Sequence, residues 1–129
     1  MTSNDSVSAI KWQNDHLLLL DQRRLPHEVV WLPINNATET ADAIRDMVVR
    51  GAPAIGITAA YGIVMAAREH FFRSPKDWQS TIQSDLELFR KAMPTAVNLV
   101  WAIDRMSGLF NRIDGDTLEI LFDEAKDIH

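Results

Sequence analysis

Apolar residues follow two different periods along this chain. Up to about residue 34 they come as short runs separated by polar, turn-forming residues. After that they recur every three or four positions. The first pattern predicts three short strands, Ile10 to Trp12, His16 to Leu20 and Glu28 to Leu32. Asn14-Asp15 supplies the first turn and Arg23-Arg24-Leu25-Pro26 the second connection. The Leu17 to Leu20 run does not alternate, so its assignment rests on its length and its flanking turns.

The second pattern predicts a succession of helices. Asn36-x-x-Glu39 has the form of a capping box, and Ala41, Ile44, Met47 and Val48 trace an apolar stripe behind it. That helix should stop at Val49-Arg50-Gly51, at the glycine. A second helix is expected from Pro53 to about His70. Its many small residues (Ala54, Gly56, Ala59, Ala60, Gly62, Ala66 and Ala67) would let neighbouring helices come close. Ser74-Pro75 opens a third helix carrying Trp78, Ile82, Leu86 and Phe89. Met93-Pro94-Thr95 is the next break, followed by a fourth helix with Leu99, Ile103, Met106 and Phe110 on one face. Asp114-Gly115 closes it. Asp116-x-x-Glu119 then caps a last helix, whose stripe of Leu118, Leu121, Phe122, Ala125 and Ile128 is still running at His129. No stop signal ends that stripe, so the natural polypeptide is expected to continue and this chain to be its N-terminal part.

The fold class expected is therefore α+β. A short three-stranded antiparallel sheet (residues 1–34) precedes a bundle of about five helices (36–129), together one N-terminal domain. At 129 residues with 47% hydrophobic and 24% charged content, the chain is long enough to bury a core. There is no cysteine, which removes disulfides, thiolate metal sites and cysteine nucleophiles, and fits a reducing, cytoplasmic compartment. A net charge of −5 argues against a general nucleic-acid binder. The uncharged run from Ala52 to Ala67 is shorter than the roughly 20 residues a membrane-spanning helix needs. A buried core helix is expected there.

Candidate chemistry is concentrated in Arg50-Gly51-Ala52-Pro53-Ala54-Ile55-Gly56. Arg50 offers a fixed positive charge with a planar donor fork, and Gly51 allows close backbone approach. Pro53 suits a first helical turn, and the free amides of that turn, with the helix dipole, favour a phosphate or carboxylate. On pattern alone the favoured reading is a plain helix–Gly–Pro–helix corner, with Arg50 capping the C-terminus of the preceding helix. The stretch has neither P-loop spacing nor G-x-G-x-x-G. Met93-Pro94-Thr95-Ala96-Val97-Asn98-Leu99 is a second corner whose amides could meet the same ligand, though Asn98 reads more simply as a satisfied core residue. His16, His27, His70 and His129 are scattered, so metal ligation is not expected. Arg23 and Arg24 read as turn residues, and Asp85, Glu87, Asp123, Glu124 and Asp127 as solvated helix faces.

Together, Arg50 to Gly56, Pro94-Thr95-Ala96-Val97-Asn98-Leu99, Trp101-Ala102-x-x-Arg105-Met106 and Leu20-Asp21-Gln22-Arg23-x-Leu25-Pro26 resemble methylthioribose-1-phosphate isomerase. That family of methionine salvage is related to the regulatory subunits of translation initiation factor 2B. The resemblance implies a two-domain enzyme, generally dimeric, with a Rossmann-like second domain downstream of this one. It implies cofactor-free interconversion of 5-methylthioribose 1-phosphate and 5-methylthioribulose 1-phosphate, with a catalytic cysteine and aspartate in the second domain. Arg50, Gly51 and Ala52 match the segment that contacts the sugar phosphate. The residue before Pro-Thr-Ala-Val-Asn-Leu is usually a substrate-binding arginine in that family, and here it is Met93. The isolated chain is accordingly expected to be inactive. The alternatives are a non-catalytic, sugar-phosphate-sensing protein of the initiation-factor-2B-related group and a ribose-1,5-bisphosphate isomerase.

Overall fold

The computed structural model describes residues 9–112 and 117–129. Three strands, β1 (Ile10–Gln13), β2 (His16–Leu20) and β3 (Trp31–Ile34), form an antiparallel sheet in sequence order. The β1–β2 hairpin closes through Asn14 and Asp15, with φ of 54° and 63°. Two left-handed residues make the turn whose twist suits paired strands, and Asn and Asp tolerate that conformation. Pairing sets Ile10 opposite Leu19 and Leu17 opposite Ile34. Leu17 and Leu19 are fully buried, while Leu18 and Leu20 on the other face are half-covered. The unbroken leucine run therefore alternates in burial although not in polarity. On the outer face, the Lys11 ammonium sits 4.1 Å from the centre of the Trp31 ring.

The third strand lies later than the pattern predicts, at 31–34 instead of 28–32. It is an edge strand, so Pro33 can occupy it without leaving a ladder position empty. Val29, which the prediction includes, is 71% exposed.

The helices are α1 (Ala37–Arg45), α2 (Ala52–Arg73), a single turn α3 (Trp78–Thr81), α4 (Gln83–Ala92), α5 (Val97–Ser107) and α6 (Thr117–Ile128). An α+β fold with five helices of nine residues or more is what the sequence pattern leads one to expect. None of the described helices is long and apolar enough to cross a membrane. Asn36 caps α1 by accepting the Glu39 N–H at 2.8 Å, while the Glu39 carboxylate reaches back to the Asn35 N–H at 2.9 Å. The capping box is present, with its return bond shifted by one residue.

The remaining boundaries move for identifiable reasons. Helix α1 stops at Arg45, well before Gly51, because Met47 adopts φ of 62°. Met47 N–H then donates to Ile44 O at 3.2 Å and Val48 N–H to Ala43 O at 2.9 Å. This is a helix C-cap normally built on glycine, here on methionine. Met47 is 48% exposed and not part of the buried stripe. Helix α2 runs on to Arg73, and Ser74 closes it, so the next helix begins at Trp78 and not at Ser74-Pro75. Phe110 falls beyond α5, in a 3-10 turn from Phe110 to Arg112, and is still buried. The expected break at Asp114-Gly115 and the cap at Asp116 lie outside the described residues.

Helix α2 is the axis of the domain. Every residue from Ala54 to Ala67 is buried, and α1, α3, α4, α5 and α6 all pack against it. Trp12 of the sheet stacks on Tyr61 of α2, with ring centres 5.1 Å apart. The Tyr61 hydroxyl is 2.8 Å from Nδ1 of His129, and burial pushes its pKa up. A helix buried on all sides needs small side chains wherever a neighbour crosses closely. A Cβ on Gly56 would lie 3.2 Å from the Asn98 carbonyl of α5. One on Gly62 would lie 2.6 Å from Thr40 Cγ2 and 3.1 Å from Phe89 Cζ.

Neither neighbour of Gly62 has room to retreat. Thr40 and Phe89 are fully buried, and Thr40 Oγ1 is held by Asn36 O at 2.8 Å. Gly62→Ala gains about 1 kcal/mol of helix propensity. It should still lose about 1–2 kcal/mol net, because overpacking costs more. Chemical denaturation checks this, and an unchanged or raised stability would refute the close α1–α2–α4 crossing.

Candidate functional site

The corner between α1 and α2 is anchored before it turns outward. Val48 and Val49 are buried, and Val48 uses both of its peptide groups. Its N–H reaches Ala43 O, and its carbonyl accepts from Gln22 N–H at 2.9 Å. From that anchor the chain emerges at Arg50, which is exposed and forms no ion pair among the described residues. Gly51 has φ of 94° and ψ of 137°, a conformation that a side chain rarely permits. Ala52 and Pro53 open α2, and Ile55 N–H closes the first helical bond onto Gly51 O at 3.1 Å. Among the described residues, the amides of Gly51, Ala52 and Ala54 have no protein acceptor. The expected helix start with free donors is thus present, directly after Arg50 in the chain. Gly51 serves it as the cap of α2, not as the stop of α1.

The second corner meets the first. Ala96 caps α5, and the Leu99 and Val100 amides both donate to its carbonyl. The amides of Val97 and Asn98 have no protein acceptor among the described residues. Asn98 is half-buried and touches Gly56, so the first turns of α2 and α5 lie side by side. A recess of about 160 Å³ opens between them, lined by Pro53, Gly56, Ile57, Asn98, Trp101 and Ile128. A wider one of about 370 Å³ lies along Pro94 to Val97, Val100, Trp101 and Asp104. Arg50, Gly51 and Ala52 line neither recess; they directly precede Pro53 in the chain. Asn98 is a lining residue and not a satisfied core residue.

Trp101 is shared by both recesses. It is 49% exposed, and the Arg105 guanidinium lies 5.2 Å from its ring centre. Arg105 is itself fixed by Glu124 of α6 at 2.7 Å. Val97 is 79% exposed, so an apolar strip borders the mouth. Met93 is half-buried and packs on the core. Arg90 does not replace a cation there, since it points toward Glu87 and Asp104 at 3.8 and 3.9 Å. Lys91 lines a different hollow, with Ala41, Arg45 and Leu88.

Several charged residues do more than pattern reading assigns them. Asp21 is fully buried, and Arg23 grips it with Nε and Nη2, each at 2.9 Å. Arg24 Nε lies 3.5 Å from the same carboxylate. These arginines are exposed turn residues, as expected, and they also pair with the buried carboxylate. The signal available in the sequence was an aspartate two residues before an arginine at a strand end, the spacing of a local cap. His70 Nε2 meets Asp85 at 2.7 Å, joining α2 to α4 across fifteen positions that no local pattern links. His16 and His27 are exposed, as expected. No group of three or more metal-binding side chains exists among the described residues.

Chemically, this mouth can hold an anion. Its donors are backbone amides at two helix N-termini, one of them directly after Arg50 in the chain, and the helix dipoles favour negative charge. Of the residues lining the two recesses, Asp104 alone carries a carboxylate. No histidine, lysine or second carboxylate is among the residues lining the two recesses.

Comparison with known proteins places the chain among relatives. The model of the initiation factor 2 subunit family matches residues 48–125, a span that includes both corners. A methylthioribose-1-phosphate isomerase from Alkalilimnicola ehrlichii is 57% identical over the whole chain, and one from Ectopseudomonas mendocina is 50% identical over 127 residues. The chain spans 37% and 35% of those relatives' lengths. Two solved structures superpose closely. The 5-methylthioribose 1-phosphate isomerase of Pyrococcus horikoshii gives a TM-score of 0.86 at 30% identity, over 93% of this chain and 35% of that one. The translation initiation factor eIF-2B delta subunit from A. fulgidus gives 0.85 at 33% identity, over 93% of this chain and 36% of that one.

The buried pair also sets a pH dependence. Hydrogen bonds from Arg23 hold the Asp21 carboxyl below its ordinary 3.8, and burial only partly opposes them. The unfolded chain therefore takes up this proton first on acidification. The stability Asp21 contributes is present above its unfolded value and is lost as pH falls through the depressed folded value. Asp46, held down by Arg45, acts in the same direction. Between about pH 5 and about pH 2 the melting temperature should fall more steeply for the wild type than for Asp21→Asn. Parallel curves would show that this carboxylate is not charged and paired in the folded state.

Proposed function

The chain belongs to the initiation factor 2 subunit family, and from that premise we propose that it is the N-terminal, phosphate-gripping part of a 5-methylthioribose 1-phosphate isomerase. The carrying observation is the set of amides at Gly51, Ala52 and Ala54 that, like the Arg50 side chain before them, have no partner among the described residues. The names of the similar proteins supply the substrate. In this reading the phosphate sits at the first turn of α2, with Arg50 as its charged clamp, and the sugar extends toward Asn98 and Trp101. Moving hydrogen between adjacent sugar carbons needs an acid/base pair. The proposal assigns that pair to a second, Rossmann-like domain of the complete polypeptide, closing over the exposed Val97, Val100 and Trp101. It also takes the complete enzyme to be a cytoplasmic homodimer that needs no cofactor.

A second reading is favoured by one residue. Met93 cannot donate to a phosphate, which suits a sugar-phosphate sensor akin to the eIF-2B delta structure. A panel of sugar phosphates on the complete polypeptide separates these readings, and separates both from a ribose-1,5-bisphosphate isomerase.

Three measurements test the grip on the 129-residue chain. Titration with 5-methylthioribose 1-phosphate should shift the backbone NMR signals of Gly51, Ala52 and Ala54 saturably, with no turnover. Arg50→Gln should weaken that binding about ten- to a hundredfold, the worth of one charge-assisted hydrogen bond. Shifts elsewhere, or none, would sink the proposal. Met93→Arg should tighten binding by about tenfold by adding a donor at the second corner. Unchanged affinity would show that this corner does not face the phosphate.

A further inference from the structure

We propose that Asp21 is a positioning residue for the phosphate loop, holding residues 48–52 in their binding geometry through the turn that it caps. The proposal rests on the reading of that loop as a phosphate grip. A carboxylate with no exposure to water is costly to keep charged unless it is fully paired. Asp21 is paired only locally: by the Arg23 N–H at 3.0 Å, by the two guanidinium bonds from Arg23, and by Arg24. Its side chain therefore staples no distant element. What it does is define the 3-10 turn Gln22–Arg24, of which it is the N-cap.

That turn is where the sheet touches the loop. Asp21 N–H donates to Val30 O at 2.8 Å, and the next amide, Gln22 N–H, donates to Val48 O at 2.9 Å. Val48 stands two residues before Arg50 and three before Gly51. Its other peptide bond, to Ala43 O, and its buried side chain leave it no freedom of its own. Arg23 and Asp46, just past the end of α1, line the same surface hollow. One buried carboxylate thus aims an amide at the root of the loop. The loop residues that would meet the ligand make no bond to the sheet themselves, so their placement comes through Val48.

A merely structural Asp21 would lower stability without a specific effect on the loop. The test compares Asp21→Asn, which keeps an oxygen to cap the turn, with Asp21→Ala and with a packing control of matched melting temperature, Ile82→Val. Inorganic phosphate is the probe, followed at the Gly51 and Ala52 amides, with hydrogen exchange read at Gln22 and Val48. Asp21→Ala should weaken phosphate binding about tenfold, the scale of a small misplacement of binding groups. It should also speed exchange selectively at Gln22 and Val48. Asp21→Asn should recover part of both losses, and Ile82→Val should alter neither. Unchanged phosphate affinity in both Asp21 variants, or exchange raised evenly over the chain, would overturn the proposal. If the wild type shows no response to phosphate, the phosphate reading fails while the exchange arm still decides the clamp. If Asp21→Ala does not fold, Asp21→Asn alone decides.

Discussion

Fourteen consecutive residues of α2, from Ala54 to Ala67, are shut away from water, and the domain is built around that demand. A helix covered on every side must let several neighbours approach its backbone at once. Gly56 admits the first turn of α5, and Gly62 admits Thr40 of α1 and Phe89 of α4. The burial ends at the N-terminus, where Ala52 and Pro53 are exposed. The same helix is therefore a rigid core rod at one end and a donor of free amides at the other. Its dipole is delivered to the surface at a point that the packing fixes.

The close crossing at Gly56 brings the two corners into one mouth. Without it the first turn of α5 would stand off from α2, and the free amides at Val97 and Asn98 would face another direction. Trp101 completes the mouth and is braced through Arg105 to Glu124 on the last helix. On the function proposed above, such a surface would bind and orient an anion and leave proton transfer to another part of the polypeptide; the chain spans 37% and 35% of the lengths of two relatives it matches.

Stiffness at the loop comes from a different part of the chain. The sheet covers only one side of α2, yet its exit turn at Asp21 to Arg24 reaches the connector between α1 and α2. The strained cap at Met47 belongs to the same device. A left-handed methionine costs about 1 kcal/mol or more relative to glycine, and Val48 is repaid with two peptide bonds and a buried side chain. On the proposal above, the order of this loop depends on residues roughly thirty positions earlier, through the Gln22–Val48 hydrogen bond.

Local rules made much of this legible. The Asn14-Asp15 turn, the Asn36 cap, the small-residue helix after Pro53 and the free-amide start at Gly51-Ala52 all follow from preferences acting within a few residues, and so can be read along the chain. The sheet's register, the early end of α1 at Met47, the His70–Asp85 contact and the burial of Asp21 could not be read that way. Each depends on what a distant segment offers: an edge position for Pro33, a carbonyl on Val48, a carboxylate fifteen residues away, a cover over the strand end. Periodicity and capping chemistry are properties of neighbours in sequence, so the sequence by itself determined the elements and the donor set. Which donors share one mouth, and how firmly they are held, was decided only by tertiary packing, because long-range hydrogen bonds and close helix crossings have no local signature.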